Sequence, residues 1–394
     1  MDIDARIERR QRLRSDGRLA TDDEWLSPVE HINDPVARGS VVERLLDLLD
    51  PAFDGELPAD SCLYGPKGAG KSAVVSALFD RLSAVTHRSN ATIHTSTRVA
   101  ETRLPRFVYI DGRAANTRFS LYRNLLDGLI AETVPRQGVG TDWILERLTA
   151  ALEDEETGIV AAVDHLGESG TKTVEWLLQT VKPLPGVACL TVSRERPTPS
   201  VGIDNARVFG IEAYQQHVLR DILMTRASGG LPGEGIDHER AKMIAEWAEG
   251  DAHDALAALL SATDIATADG RTRLRTADIT AGIEAVPRPA VSLSEIVSLP
   301  ANKQAVLRAL VDIDAESRES VTTAAAAIAA NGALTLSVDT VERFLYQLAN
   351  ASIIQRVPHR QTTGKGRPPS RVEFRFPARA FARLYDAQNG SSDA

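Results

Sequence analysis

Lysine and cysteine are scarce in this chain. Only seven of its 45 basic residues are lysine, and its two cysteines, Cys62 and Cys189, lie far apart in apolar stretches. Two distant thiols exclude a disulfide framework and a cysteine-rich metal cluster; they fit buried, reduced side chains of an intracellular protein. Aromatic residues make up only 5% of the sequence. There is no excess of positive charge either: Lys+Arg number 45 against 54 Asp+Glu, a formal net charge of −9, which excludes a protein basic throughout. No uninterrupted apolar run approaches the ~20 residues of a membrane span. The opening MDIDARIERRQRLRSDGR is charged where a secretory leader needs an apolar stretch. What is present is ordinary globular composition, 43% hydrophobic and 25% charged, over 394 residues, a length of two or three domains.

An arginine-rich arm, with Arg6, Arg9, Arg10, Arg12, Arg14 and Arg18, reads as a solvated helix or an auxiliary nucleic-acid contact. Helical spacing follows from Val41 to Leu49. Four short apolar runs then read as strands: Cys62–Tyr64, Phe107–Ile110, Ile159–Val163 and Val187–Val192. Helical segments beginning near Lys71, Phe119, Asp142 and Thr171 alternate with them, which predicts a parallel sheet covered on both faces by helices. The polar stretch Thr86–Pro105 reads as a loop or irregular insertion. After Phe209 the strand pattern stops, and helices are expected at 213–227, 237–249, 252–266 and 276–285. Pro287-Arg288-Pro289 reads as a stiff junction. Beyond it, three helical segments (302–313, 321–331, 338–351) and two β-like stretches (353–357, 372–376) have the order of a winged helix. The expected domains are an arm (1–40), a nucleotide-binding core (41–208), a helical lid (209–288) and a winged helix (289–394).

Gly65-Pro66-Lys67-Gly68-Ala69-Gly70-Lys71-Ser72 fits the G-x-x-x-x-G-K-[ST] pattern at every fixed position, after an apolar strand and before a helix. Glycines let backbone N–H groups close on phosphate oxygens, and the helix N-terminus favours negative charge. In such a loop Lys71 reaches the β- and γ-phosphates of ATP or ADP, and the Ser72 hydroxyl ligates Mg²⁺. Asp164, closing the apolar run Ile159–Val163, is the second Mg²⁺ residue. The next position is His165, where hydrolytic versions carry a glutamate that activates water. Glu168, three residues further on, is the candidate substitute.

In their order, these and further blocks resemble the AAA+ initiator ATPases of archaeal replication, relatives of the eukaryotic origin recognition complex and of the cell division control loader. The blocks are Arg38 with the Leu45–Phe53 helix; Leu63-Tyr64-Gly65-Pro66; Phe107-Val108-Tyr109-Ile110-Asp111 with Arg118 and the Leu121–Ile130 helix; Phe209 with Tyr214, Leu223 and Arg226; and Glu249-Gly250-Asp251-Ala252 with Ala255-Leu256 and Leu259-Leu260. The resemblance runs from about Leu26 to Phe376. It implies an α/β P-loop AAA+ module, an all-helical lid and a C-terminal winged helix. It also implies a nucleotide-sensing residue in the lid, where the family's arginine is replaced by His253, and a sensor at Ser193, followed by Arg194 where the family often has asparagine. Arg194, Arg196 and Arg207 are candidates for a finger acting on a neighbouring subunit. Three of four catalytic positions are thus altered, and the expectation is a nucleotide switch with weak or absent hydrolysis.

The charge deficit is unevenly spread. Residues 301–394 carry twelve cations and nine acids, so their net charge is +3 and residues 1–300 hold −12. Seven cations between Arg356 and Arg379 face one acid, Glu373. Arg356, Arg360, Lys365, Arg367, Arg371 and Arg375 are candidate phosphate contacts on the wing. Ser337 caps a recognition-type helix that offers Thr340, Arg343, Gln347 and Asn350 to a groove. Expected partners are double-stranded DNA, other replication proteins or copies of the chain itself, with no membrane; the expected location is the cytoplasm, on the nucleoid. Two further readings are a non-hydrolysing paralogue serving transcription or plasmid maintenance, and a protein-remodelling ATPase whose winged helix contacts protein.

Overall fold

The computed structural model describes Leu19 and residues 22–32, 35–93, 104–154, 158–199, 202–204, 207–232, 235–332, 334–358 and 370–390. The chain forms two compact units, one of His31–Ala213 and one of Met1–Glu30 with Tyr214–Ala394.

The first unit is built on a five-stranded sheet in the order β2-β3-β4-β1-β5, with every pairing parallel. Along the chain run α1 (Gly39–Leu49), β1 (Ser61–Tyr64), α2 (Lys71–Ile93), β2 (Arg106–Asp111) and α3 (Arg118–Leu129). Then come α4 (Thr141–Asp154), β3 (Ile159–Leu166), α5 (Val174–Val181), β4 (Val187–Ser193) and β5 (Val208–Gly210). Side chains of a strand alternate between faces, and β3 shows why both faces must be covered. Its Ile159, Ala161 and Val163 join a core with α3, α4 and α5, while Val160 and Ala162 join a second core with α1 and α2. That alternation places β1, and the loop that follows it, between β4 and β5.

Two elements depart from the sequence reading. Phe209 lies in β5, a short edge strand paired with β1, so it belongs to the sheet and not to the start of a lid. Helix α2 continues to Ile93, so the first part of the expected Thr86–Pro105 loop is helical.

The second unit begins with one helical turn, Asp23–Leu26, and continues with α6 (Gln216–Gly230), α7 (His238–Ala248), α8 (Ala252–Ala268) and α9 (Thr276–Glu284). Helix α8 is rich in Ala and Leu and almost wholly buried, so small side chains let its neighbours pack on every face. There follow α10 (Leu293–Val297), α11 (Ala301–Asp312), α12 (Val321–Ala330) and α13 (Val338–Asn350), the antiparallel pair β6 (Ile354–Pro358) and β7 (Ser370–Phe374), and α14 (Ala378–Gly390). Helix α10 and helix α14 were not foreseen. Phe376 and Phe381 stack edge-to-face at 5.5 Å and anchor α14, and Arg379 reaches Asp264 of α8 at 3.1 Å. Lid and winged helix therefore share one compact unit.

The N-terminal segment is strapped onto α6 by Arg226, whose buried Nη2 donates to the carbonyl oxygens of Ser27 and Glu30. Replacing this side chain leaves the carbonyl of the buried Ser27 without this donor. Arg226→Met is expected to lower unfolding free energy by about 2–4 kcal/mol, read by chemical denaturation.

Candidate functional site

The phosphate loop grows directly out of β1. A side chain at Gly65 would bring its Cβ within 2.3 Å of the Ile211 carbonyl oxygen, so the close approach of the chain leaving β5 demands glycine there. Gly68 and Gly70 turn the loop with left-handed φ values of 69° and 82°. Lys71 opens α2, is buried, and donates from Nζ to the carbonyl oxygens of Gly65 at 2.6 Å and Pro66 at 2.8 Å. The ammonium thus lies across the mouth of the loop, where a phosphate would meet it. Arg38 pins the outside, donating from Nη2 to Ala69 O and Glu212 O, both at 2.8 Å. Lys67 and Ala69 lie in the turn, and Ser72 is the second residue of α2.

Asp164 projects from β3 on the face that carries α2, and is 1% exposed. Its Oδ2 accepts from the Tyr109 hydroxyl at 2.9 Å and its Oδ1 from the His165 N–H at 2.6 Å. A carboxylate has about four acceptor positions, so lone pairs remain on both oxygens. A serine hydroxyl such as that of Ser72 and a carboxylate such as that of Asp164 are hard oxygen donors of the kind that suits Mg²⁺. The loop, the enclosed ammonium and these oxygens fit a nucleotide with its magnesium.

The position after Asp164 is unusual. His165 has φ of 61°, and the β3–β4 register shifts between Val163 and Leu166, so the chain bulges where a water-activating side chain is needed. Beyond it, Glu168 is sequestered. Its Oε2 accepts from Arg113 Nη2 at 2.6 Å and Nε at 3.1 Å; its Oε1 accepts from Arg194 Nε at 3.0 Å and lies 3.4 Å from His165 Nδ1. Burial works to raise the Glu168 pKa, but the His165 hydrogen bond and the charges of Arg113, His165 and Arg194 outweigh it and hold the carboxyl well below the ordinary range. A base so weak, with both oxygens engaged, is badly placed to take a proton from water, the role expected of Glu168. Burial likewise disfavours charging His165, yet Asp164 and Glu168 prevail and raise its pKa.

Ser193 closes β4 opposite Tyr64 of β1, and its hydroxyl donates to Glu195 O at 2.7 Å. The finger candidates diverge. Arg194 is held by Glu168, Arg196 lies 6.0 Å over the Tyr64 ring, and Arg207 faces Asp60. Arg113 escaped notice in the sequence, although its place two residues beyond β2 put it at the same sheet edge as Asp164.

His253, expected at a phosphate, is buried: its Nε2 accepts from the Leu293 N–H at 2.8 Å, and its Nδ1 lies 3.3 Å from Asp254 Oδ1. Both ring nitrogens are engaged within the second unit, where His253 fastens α8 to the start of α10.

On the winged helix, Arg343 is exposed on α13 and Arg356 lies 5.2 Å over the ring of Tyr346, an exposed residue of the same helix. Arg371 is on the opposite face of the β6–β7 ribbon from Arg356, 3.3 Å from Glu373, and Arg375 follows β7, its backbone bonded to Ile353. Arg360, Lys365 and Arg367, like the arginines of the arm, lie outside the described residues.

A parallel sheet in this strand order, with a P-loop after β1 and an acidic strand end on β3, defines an AAA+ P-loop module. The family description for the AAA ATPase domain matches residues 34–190. The ORC1-type DNA replication protein of Pyrococcus horikoshii is 23% identical over 302 residues, covering 70% of this chain and 67% of that protein. ORC1-type DNA replication protein 1 of Halobacterium salinarum is 26% identical over 269 residues, covering 64% and 80%. Among solved structures, the Aeropyrum pernix ORC1 protein in complex with DNA superposes with a TM-score of 0.56 at 20% identity over 95% of this chain and 98% of that one. Cdc6p from Pyrobaculum aerophilum gives 0.54 at 19% identity over 95% and 99%. In motif order the chain is similar to these ORC1-type proteins, and in fold to the solved ORC1 and Cdc6p structures.

Glu168→Gln leaves two guanidiniums short of a partner and is expected to lower stability by about 3 kcal/mol near neutral pH. A carboxyl with depressed pKa contributes stability above its unfolded value and loses it as pH falls toward the folded one. The deficit measured by denaturation should therefore shrink once pH drops below the ordinary carboxylate range. His253→Ala orphans the Leu293 N–H and should lower stability by about 1–3 kcal/mol. Calorimetric titration should find nucleotide affinity unchanged within about twofold.

Proposed function

We propose that the protein is a replication-initiator-type nucleotide switch that binds ATP or ADP, engages duplex DNA through its winged helix, and hydrolyses ATP slowly or not at all. The observation that carries this reading is an intact phosphate cradle beside a strand end without a usable base. His165 occupies the water-activating position in a bulge, and the neighbouring carboxylate, Glu168, is committed to Arg113 and Arg194. Lys71 and the loop amides hold phosphate, and Ser72 and Asp164 are the residues for Mg²⁺. When bound, magnesium neutralises phosphate charge and orients the nucleotide. Support for DNA as partner comes from the exposed Arg343 and Arg356 and from the likeness to an ORC1 protein described in complex with DNA. The local excess of cations allows an acidic body to bind phosphates at one end only.

The test has two arms. In the first, wild type binds ADP and ATP by calorimetry, Lys71→Ala does not, and steady-state ATP turnover of wild type stays near the Lys71→Ala background. Turnover comparable to that of a P-loop ATPase carrying the water-activating glutamate overturns the slow-hydrolysis reading. In the second, duplex binding is followed by anisotropy across a salt series. Arg343→Ala and Arg356→Ala should weaken it and each reduce the log–log salt slope by roughly one. Absence of duplex binding even at low salt overturns the DNA reading.

A further inference from the structure

We infer that Tyr109 is a positioning residue for the metal-binding carboxylate: its hydroxyl holds Asp164 by hydrogen bonding and weakens the grip of that carboxylate on magnesium, so that nucleotide is retained with little help from the metal. The inference rests on the assignment of Asp164 to Mg²⁺ made above.

The geometry is set by the sheet. Tyr109 on β2 is registered opposite Ala162 of β3, and Asp111 opposite Asp164, so Tyr109 and Asp164 are diagonal neighbours. Tyr109 packs against the core beneath α2, on the same face as Asp164, and its hydroxyl reaches Oδ2 at 2.9 Å. A phenol is not needed to fill this space, because a phenylalanine ring has the same shape. What the hydroxyl adds is a donor at a carboxylate buried to 1% exposure.

Two consequences follow. The phenol O–H is the donor here, because an ionised carboxylate can only accept. A hydrogen bond to a charged acceptor is stronger than one between neutral groups, and it draws charge from the oxygen that receives it. The His165 N–H does the same on Oδ1 at 2.6 Å, as a backbone donor fixed by the bulge. Magnesium seeks oxygen ligands of high charge density, directly or through its own waters. A carboxylate restrained from both sides is a poorer one.

The experiment titrates ADP into the full chain by calorimetry, with Mg²⁺ and with EDTA, and reads the ratio of the two affinities. This ratio separates the proposal from a packing role, because loss of packing moves both affinities together. In wild type the ratio should be small. In Tyr109→Phe it should rise by about tenfold, the scale of one hydrogen bond to a charged acceptor. Tyr109→Leu, which removes the hydroxyl with different packing, should raise it too, and circular dichroism checks that both variants fold. An unchanged or lowered ratio in the folded variants overturns the inference. Asp164→Asn in the Tyr109→Phe background tests the underlying assignment: it should bring the raised ratio back close to one. If the ratio stays raised, Asp164 is not the metal residue and both statements fall. If the tyrosine variants change nothing while Asp164→Asn still lowers the ratio, only the inference falls.

Discussion

One carboxylate governs the nucleotide end of the sheet. Glu168 is shared between the guanidiniums of Arg113, beyond β2, and Arg194, beyond β4, and so joins the ends of three neighbouring strands. A charge in such a place must be paired, because its desolvation is otherwise prohibitive. Two arginines and one imidazole answer Glu168 and Asp164. A glutamate at position 165 would add a third carboxylate to this small volume, and like charges at that distance oppose one another. His165 and the Glu168 cluster are therefore mutually consistent.

The backbone serves the same arrangement. β3 keeps its pairing with β2 through Asp164 while slipping against β4 around His165. The Asp164 carboxylate stays in register, and the residue after it is turned into the left-handed region. Asp164 is thus presented normally by one neighbour and isolated from a water-activating companion by the other.

The parts legible in sequence were those with local signatures. The P-loop was read from its spacing, the central strands from apolar runs, and the lid and winged helix from helical periodicity. Elements that depend on distant partners were not. β5 has three residues and exists because β1 offers it an edge. α10 has five residues, and the imidazole that fastens its start stands forty positions earlier in the chain. His253 was expected at a phosphate because the matching family position is an arginine, whereas the shorter imidazole finds its partner in its own unit. Arg113, Tyr109 and Glu168 each act across more than fifty residues of sequence, a distance at which spacing carries no information. The wing cations were grouped by composition, and strand alternation divides them, with Arg356 and Arg371 on opposite faces.

Arg383 on α14 bonds Asp23, 360 residues away, and approaches Asp264 of α8. The unit it closes is discontinuous, with its first segment made before the sheet and the remainder after it. During synthesis the nucleotide-binding unit, a continuous stretch, can fold as soon as it emerges, whereas the segment before it finds its partners, Arg226 and then Arg383, only in chain made afterwards. Early folding of the intervening unit also brings the ends of a very long loop together, which reduces the entropy that the Asp23–Arg383 closure must overcome. The segment made first thus completes its ion pairing only with the last helix made.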